Sequence, residues 1–273
     1  MSFMFVEKRT KEKEQRSVSD MTVVELIVCI VAGLGAGFGT GLAGLSAAAV
    51  VSPMLITFLG MPAYQAIGIA LASDVLASAV SAYTYKKNDN IDIRHGLIML
   101  ISVLVFTLVG SFVSSLVPNG AMGGFSKGMT LLVGVKFIVK PIMTTKEVQA
   151  NKSEKQKVIQ SIVCGCVIGF ICGFVGAGGG MMLLLVLTSV LGYELKTAVG
   201  TSVFIMAFTA FTGALSHFYI GGAPDIPIMI ACMLSTLIFA RLGAKWANSA
   251  NVKLLNRVTG VLLCVLGGVM LFF

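Results

Sequence analysis

Residues 33–44 read GLGAGFGTGLAG and residues 165–176 read GCVIGFICGFVG, a constant offset of 132 positions between them. The offset holds well beyond these stretches. Gly33, Gly37, Gly41, Gly44, Gly60 and Gly68 fall on Gly165, Gly169, Gly173, Gly176, Gly192 and Gly200, and Ala66 and Ala82 fall on Ala198 and Ala214. An ungapped register of 33–85 on 165–217, with glycines at its nodes, is hard to obtain from composition alone. It reads as one hydrophobic unit built twice. Duplicated hydrophobic halves recur in secondary transporters, where substrate sits at the repeat interface near the bilayer midplane.

Composition places the unit in a membrane. The 273 residues are 56% hydrophobic and only 12% charged, about half the charged share of a soluble domain. The charge gathers in short stretches and leaves long uncharged runs, which read as membrane helices. Candidate spans are 22–41, 43–59, 63–85, 96–117 and 125–140 in the first half, and 158–175, 179–191, 195–219, 227–246 and 254–273 in the second. Breakers separate them: Gly60-Met61-Pro62, Lys86 to Asn90, Pro118-Asn119-Gly120, Gly221 to Asp225, and Ala247 to Asn251. The expected fold is an all-α polytopic membrane protein, a duplicated bundle of about 8–10 membrane segments. Its parts are a tail (1–21), a first membrane repeat (22–142), a polar linker (143–157) and a second membrane repeat (158–273). The stretches 43–59 and 179–191 are too short to cross ~30 Å of hydrocarbon. They occupy matching places in the two copies, the sequence mark of discontinuous helices around a binding site.

The net charge of +8 is no nucleic-acid signal, because the basic residues flank apolar spans instead of forming a stripe interleaved with aromatics. Such flanking residues report the cytoplasmic side. The tail carries Lys8, Arg9, Lys11, Lys13 and Arg16, the linker region carries Lys136 to Lys157, and Arg241, Lys245, Lys253 and Arg257 gather near the end. All three clusters are expected to be cytoplasmic, in a multi-pass protein of the cell membrane with an uncleaved cytoplasmic tail. Five full crossings in the first half would place tail and linker on opposite sides and invert the repeats; a re-entrant segment would keep them together.

The six cysteines, Cys29, Cys164, Cys166, Cys172, Cys232 and Cys264, all lie in apolar spans, and His95 and His217 stand far apart. Neither set clusters as zinc ligands would, so neither a metal nor any other cofactor is expected. Cysteines in such spans behave as small hydrophobes.

Two sets of residues carry the candidate chemistry. The first is the paired glycine-rich segment, with Gly39, Gly41 and Gly44 in one copy and Gly176, Gly178, Gly179 and Gly180 in the other. Glycine inside a helix costs about 1 kcal/mol against alanine, so the clusters need a purpose. They serve either close helix packing or an unwound turn whose free N–H groups, at the start of a half-helix, hold an anion. The second set is a polar stripe. Asp74, Ser78, Ser81 and Tyr85 fall at i, i+4, i+7 and i+11, next to Ser73; Ser202, Thr209, Gly213 and Ser216 mark the equivalent face. A carboxylate in a membrane span is costly and faces the bundle interior or water. Asp74 is therefore expected to line the path and to accept a proton as substrate moves. The alternative is that the stripe only bonds neighbouring helices. His217, at a helix end, is either a proton relay or an interfacial histidine.

The segment Gly173 to Gly180, and Ala198-Val199-Gly200-Thr201-Ser202 after Gly192-Tyr193, resemble the sulfite exporter TauE/SafE family, also called the toluenesulfonate uptake permease family. The resemblance covers nearly all of 22–273 and is strongest in the second half. The first copy departs from it, with Gly68-Ile69-Ala70 where the family often has a Thr-Ser pair, and with Asp74. The resemblance implies transport of small sulfur-containing or organic anions such as sulfite, sulfonates and sulfoacetate; the expected function is a secondary transporter that exports such an anion, with Thr201 and Ser202 expected among the substrate contacts. A channel would share the architecture but pass anions without saturation. A membrane enzyme would need a nucleophile with its base, or clustered metal ligands, which this sequence does not supply.

Overall fold

The computed structural model describes residues 21–114, 135, 139, 153–175, 179–221 and 223–272. Among these residues the chain is helical without a strand: α1 (Val23–Ala43), α2 (Ala48–Leu59), α3 (Ala63–Lys87), α4 (Ile93–Ser114), α5 (Glu154–Val175), α6 (Gly179–Ser189), α7 (Leu195–Gly221), α8 (Ile226–Ser249) and α9 (Val252–Phe272). Five of these helices are long and apolar enough to cross a membrane. The tail up to Asp20, the expected span 125–140 and the linker up to Lys152 lie outside the described residues.

Local chemistry sets the ends. Thr22 accepts from the Glu25 N–H while the Glu25 carboxylate accepts from the Thr22 N–H, a capping box that starts α1. Gly44 ends α1 at φ 63°, and Gly60 ends α2 at φ 60°. Gly192, 132 positions beyond Gly60, has φ 73°. A left-handed residue stops a helix at little cost only when it is glycine. Asp225 caps α8 through the Ile228 N–H, with Pro227 in the first turn. Helix α5 begins at Glu154, not at 158, and α8 runs to Ser249, through most of the expected breaker.

Packing exchanges partners between the copies. Along α1, Gly33 lies against Ser235, Gly37 against Thr236 and Ala240, and Gly41 against Ala240 and Ala244 of α8. Residue numbers rise together, so the two helices are parallel. Gly165 and Gly169 of α5 lie in the same manner against Met99, Ser102 and Val103 of α4. The first helix of each copy thus packs on the fourth helix of the other. The equivalent helices α3 and α7 are antiparallel: Gly68 meets His217 and Phe218, and Gly200 meets Tyr85 and Asn90. The offset of 132 converts one contact into the other. Antiparallel equivalents mean that the copies are inverted, the arrangement that five crossings in the first half would give.

The apolar distribution is that of a protein in lipid. Val23 and Leu108 are 74% exposed, whereas Asp74, Ser78 and Ser202 are buried, the reverse of a soluble surface. One apolar core joins Val28, Ala32, Leu55, Ile69 and Ile228 around α2; the other joins Tyr85, Val103, Leu184, Leu187 and Val203 around α6. The two short helices therefore serve opposite ends of the bundle.

Those ends differ in charge. Asn90 donates to Asn248, Lys196 donates to the Asn248 carbonyl, and Arg94 pairs with Glu154. These bonds gather Lys86, Lys87, Arg94, Lys157 and Lys196 at the end where α8 finishes, beside Lys245. The start of α1 lies at the other end, with Cys29 against the Ile228 carbonyl at the start of α8. Helix α1 begins at the end opposite to Lys245; the tail expected on the cytoplasmic side with the C-terminal basic cluster lies outside the described residues.

Candidate functional site

The bundle is broken at its middle. After Ala43 the chain leaves the helix at Gly44, passes Leu45 to Ala47, and re-enters as α2; α6 starts facing this break. A Cβ on Gly180 would collide with the Gly44 carbonyl oxygen and sit 2.6 Å from Met206 Sδ and 3.1 Å from the Ser46 nitrogen. Only glycine allows this approach. A Cβ on Gly44 would meet the Ser202 hydroxyl, so α7 closes the same spot. Helices α2 and α6 run outward from here, and both point their N-terminal, partially positive ends toward the middle.

Asp74, near the middle of α3, reaches the break from one side. Its carboxylate accepts from Ser46 Oγ at 2.6 Å and from Ser78 Oγ at 3.0 Å. Ser46 Oγ in turn accepts from the Ala48 N–H at 3.3 Å, so a hydroxyl-bridged carboxylate faces the first turn of α2. The sequence equivalent of Asp74 on α7 is Met206, which touches Gly180. The site is pseudo-symmetric in backbone and asymmetric in chemistry.

The stripe on α3 continues from Asp74. Ser78, Ser81 and Tyr85 are buried with it; Tyr85 donates to the Gly41 carbonyl at 2.9 Å, and Ser81 Oγ is buried without a hydrogen-bond partner among the described residues. Ser73 spends its hydroxyl on the Ile69 carbonyl. The equivalent stripe on α7 is weaker. Ser202 is buried and donates to Val199, but Ser216 is exposed and bonds within its own helix to Thr212.

The sequence candidates thus separate. Gly44, Gly180, Ser202 and Asp74 meet at the break, and Gly179 opens α6 beside it. Gly41 is a packing glycine against Ala240 and Ala244, while Gly39 sits over Leu45, whose N–H bonds to its carbonyl. Thr201 accepts from the Asp92 N–H at 3.1 Å, which ties α7 to the start of α4 away from the break. His217 lies against Gly68, with Nδ1 3.0 Å from the Gly213 carbonyl. Gly176 and Gly178 lie outside the described residues. Sequence reasoning missed Ser46, although it is the lone hydroxyl between Thr40 and Ser52 and follows the glycine break directly. It also missed Asp92, which accepts from Tyr193 and contacts His95 Nδ1 at 2.8 Å, a junction of the two copies.

Comparison with known proteins agrees with this architecture. The chain is 23% identical to the probable membrane transporter protein YdhB of Bacillus subtilis over 212 residues, covering 78% of this chain and 86% of that one. It is 27% identical to a probable membrane transporter protein of Methanocaldococcus jannaschii over 261 residues, covering 90% and 95%. No solved structure matches. The family model described as sulfite exporter TauE/SafE matches residues 29–270. The chain belongs to the sulfite exporter TauE/SafE family of membrane transporters.

Proposed function

We propose that the protein is a secondary transporter that exports a small anion, sulfite or a sulfonate, across the cell membrane. The observation that carries the reading is the meeting of the start of α6 with the break between α1 and α2 at the middle of the bundle, where Gly180 lies against the Gly44 carbonyl and beside the Ser46 nitrogen. Half-helix N-termini in inverted repeats hold anionic groups in transporters built on this plan, and the family description names sulfite. Substrate sits at the break, in contact with Gly44, Gly179, Gly180 and Ser202, between repeats 22–142 and 158–273. Gly179 and Gly180 lie in the first turn of α6, where backbone N–H groups have no acceptor within the helix and can serve an anion.

The basic end faces the cytoplasm on the excess of Lys and Arg there. The start of α1 then faces the outside. The protein acts by binding and movement, not by bond chemistry, in keeping with relatives named as transporters. The test is counterflow in proteoliposomes with labelled sulfite, sulfonates, sulfate and carboxylates. Saturable exchange of sulfite or a sulfonate supports the reading; exchange of carboxylates alone, or flux without saturation, overturns it.

A further inference from the structure

We propose that Asp74 is the proton-binding group of a proton–anion cotransport cycle, loaded along the hydroxyls of Ser78, Ser81 and Tyr85. The inference rests on the reading of the break as the anion site. Asp74 is 1% exposed and accepts from two serine hydroxyls. None of the ion pairs among the described residues includes it. A buried carboxylate with no cation partner is costly within a bilayer and marks proton relays. Through Ser46 it stands at the break, beside Gly44 and Gly180, where the anion is placed. Two negative charges at one buried spot repel, so the anion is accommodated when Asp74 carries a proton. A monoanion and one proton then cross together without net charge, so export runs down the outward concentration gradient of the anion itself.

The inverted counterpart sharpens the assignment. Met206 and Ala210 replace Asp74 and Ser78 in the second copy, so only one half of the site can take a proton. The route follows from burial and spacing. Ser78, Ser81 and Tyr85 continue the Asp74 face toward the basic end of the bundle, about 16 Å along the helix at 1.5 Å per residue. Among the described residues Ser81 Oγ is buried with no hydrogen-bond partner, and a buried hydroxyl in that state is suited to a bridging water. The other titratable groups on the packed elements stand apart. Tyr85 is three turns away on α3, His217 of α7 faces Gly68, and Cys29 of α1 and Cys232 of α8 belong to the core around Ile69 and Ile228; Glu25 stands in the first turn of α1, Lys196 is bonded to the Asn248 carbonyl, and Tyr219, Arg241 and Lys245 are exposed. On α2 there is no titratable side chain.

The full-length protein in liposomes carrying an internal pH dye tests this, with labelled sulfite and ethanesulfonate as probes. Ethanesulfonate is a strong acid without a membrane-permeant neutral form, so proton entry with it is protein-mediated. The wild type should acidify the lumen as anion enters. Asp74→Asn should lower proton entry per anion at least tenfold and remove the pH dependence of anion exchange, while Asp74→Glu restores both. If Asp74→Asn does not fold, Ser81→Ala should slow proton entry at least threefold, and a wild-type rate in that variant overturns the proposal. Anion exchange with no proton movement, or with a sodium requirement instead, overturns the proposal and leaves the functional reading standing. No exchange of either anion by the wild type overturns both.

Discussion

Gly180 lies directly against the backbone carbonyl of Gly44, so the start of α6 and the break after α1 meet with no side chain between them. Replacing Gly180 by Leu would fill that junction. Overpacking at a closed contact costs about 1–3 kcal/mol, which a bundle of this size should survive. Gly180→Leu is therefore expected to insert, purify and keep its helical circular dichroism, but to reduce counterflow to background. Normal transport by this variant would remove the break as the substrate site.

Glycines on α1 should behave in the opposite way. A Cβ on Gly37 would sit 2.6 Å from the Thr236 carbonyl and 2.8 Å from the Ala240 nitrogen, backbone fixed inside the continuous helix α8, whereas the Gly44 carbonyl opposite Gly180 lies in the short break between two helices and can shift. Gly37→Leu should separate α1 from α8 and destabilise the fold by about 3 kcal/mol. The expected readout is a lower melting temperature and poor yield of monodisperse protein in detergent. Wild-type stability would show that α1 and α8 can part without cost.

Thr201 and Ser202 are neighbours in sequence with different work to do. Thr201→Ala removes the acceptor of the Asp92 N–H at the start of α4, a loss of about 1 kcal/mol that should appear as lower thermal stability with an unchanged KM. Ser202→Ala removes the hydroxyl that faces Gly44 and should raise KM roughly 2- to 10-fold. Measuring KM by counterflow and melting by scanning fluorimetry on both variants decides. A raised KM in Thr201→Ala with stability intact would return Thr201 to the site.

These differences show what the sequence carried and what it did not. Element order was legible because glycine, proline and charge interrupt the apolar runs; α2 and α6 stood out by length alone. Two starts were placed late, α4 at 96 in place of Ile93 and α5 at 158 in place of Glu154. First turns that hold Arg94, His95 or Lys157 look unlike membrane yet continue the same helix. The division of labour among glycines was not legible. Gly37 and Gly44 are the same letter, and what separates them is a helical backbone against φ 63°. Asp74 announced itself by its charge. Its partner Ser46 lies 28 residues earlier on another element, a contact that periodicity within one helix cannot reveal.

Orientation gives the last prediction, and it turns on two competing counts of basic residues. The tail holds Lys8, Arg9, Lys11, Lys13 and Arg16, but Glu7, Glu12, Glu14 and Asp20 accompany them. The far end of the bundle gathers Lys86, Lys87, Arg94, Lys157, Lys196 and Lys245, joined through Asn90, Asn248 and Glu154. Because α1 runs parallel to α8 and begins beside Ile228, the start of α1 and the far cluster cannot face the same compartment. The larger cluster sits immediately beside membrane helices, where the positive-inside bias is counted, so it should hold the cytoplasmic side. In a background with the six native cysteines replaced, Thr22→Cys should react with a membrane-impermeant maleimide added to intact cells. Lys87→Cys and Lys196→Cys should react only after the membrane is opened. Labelling of Lys196→Cys in intact cells would reverse the orientation, and labelling of Thr22→Cys and Lys196→Cys from one side would contradict the parallel packing of α1 on α8.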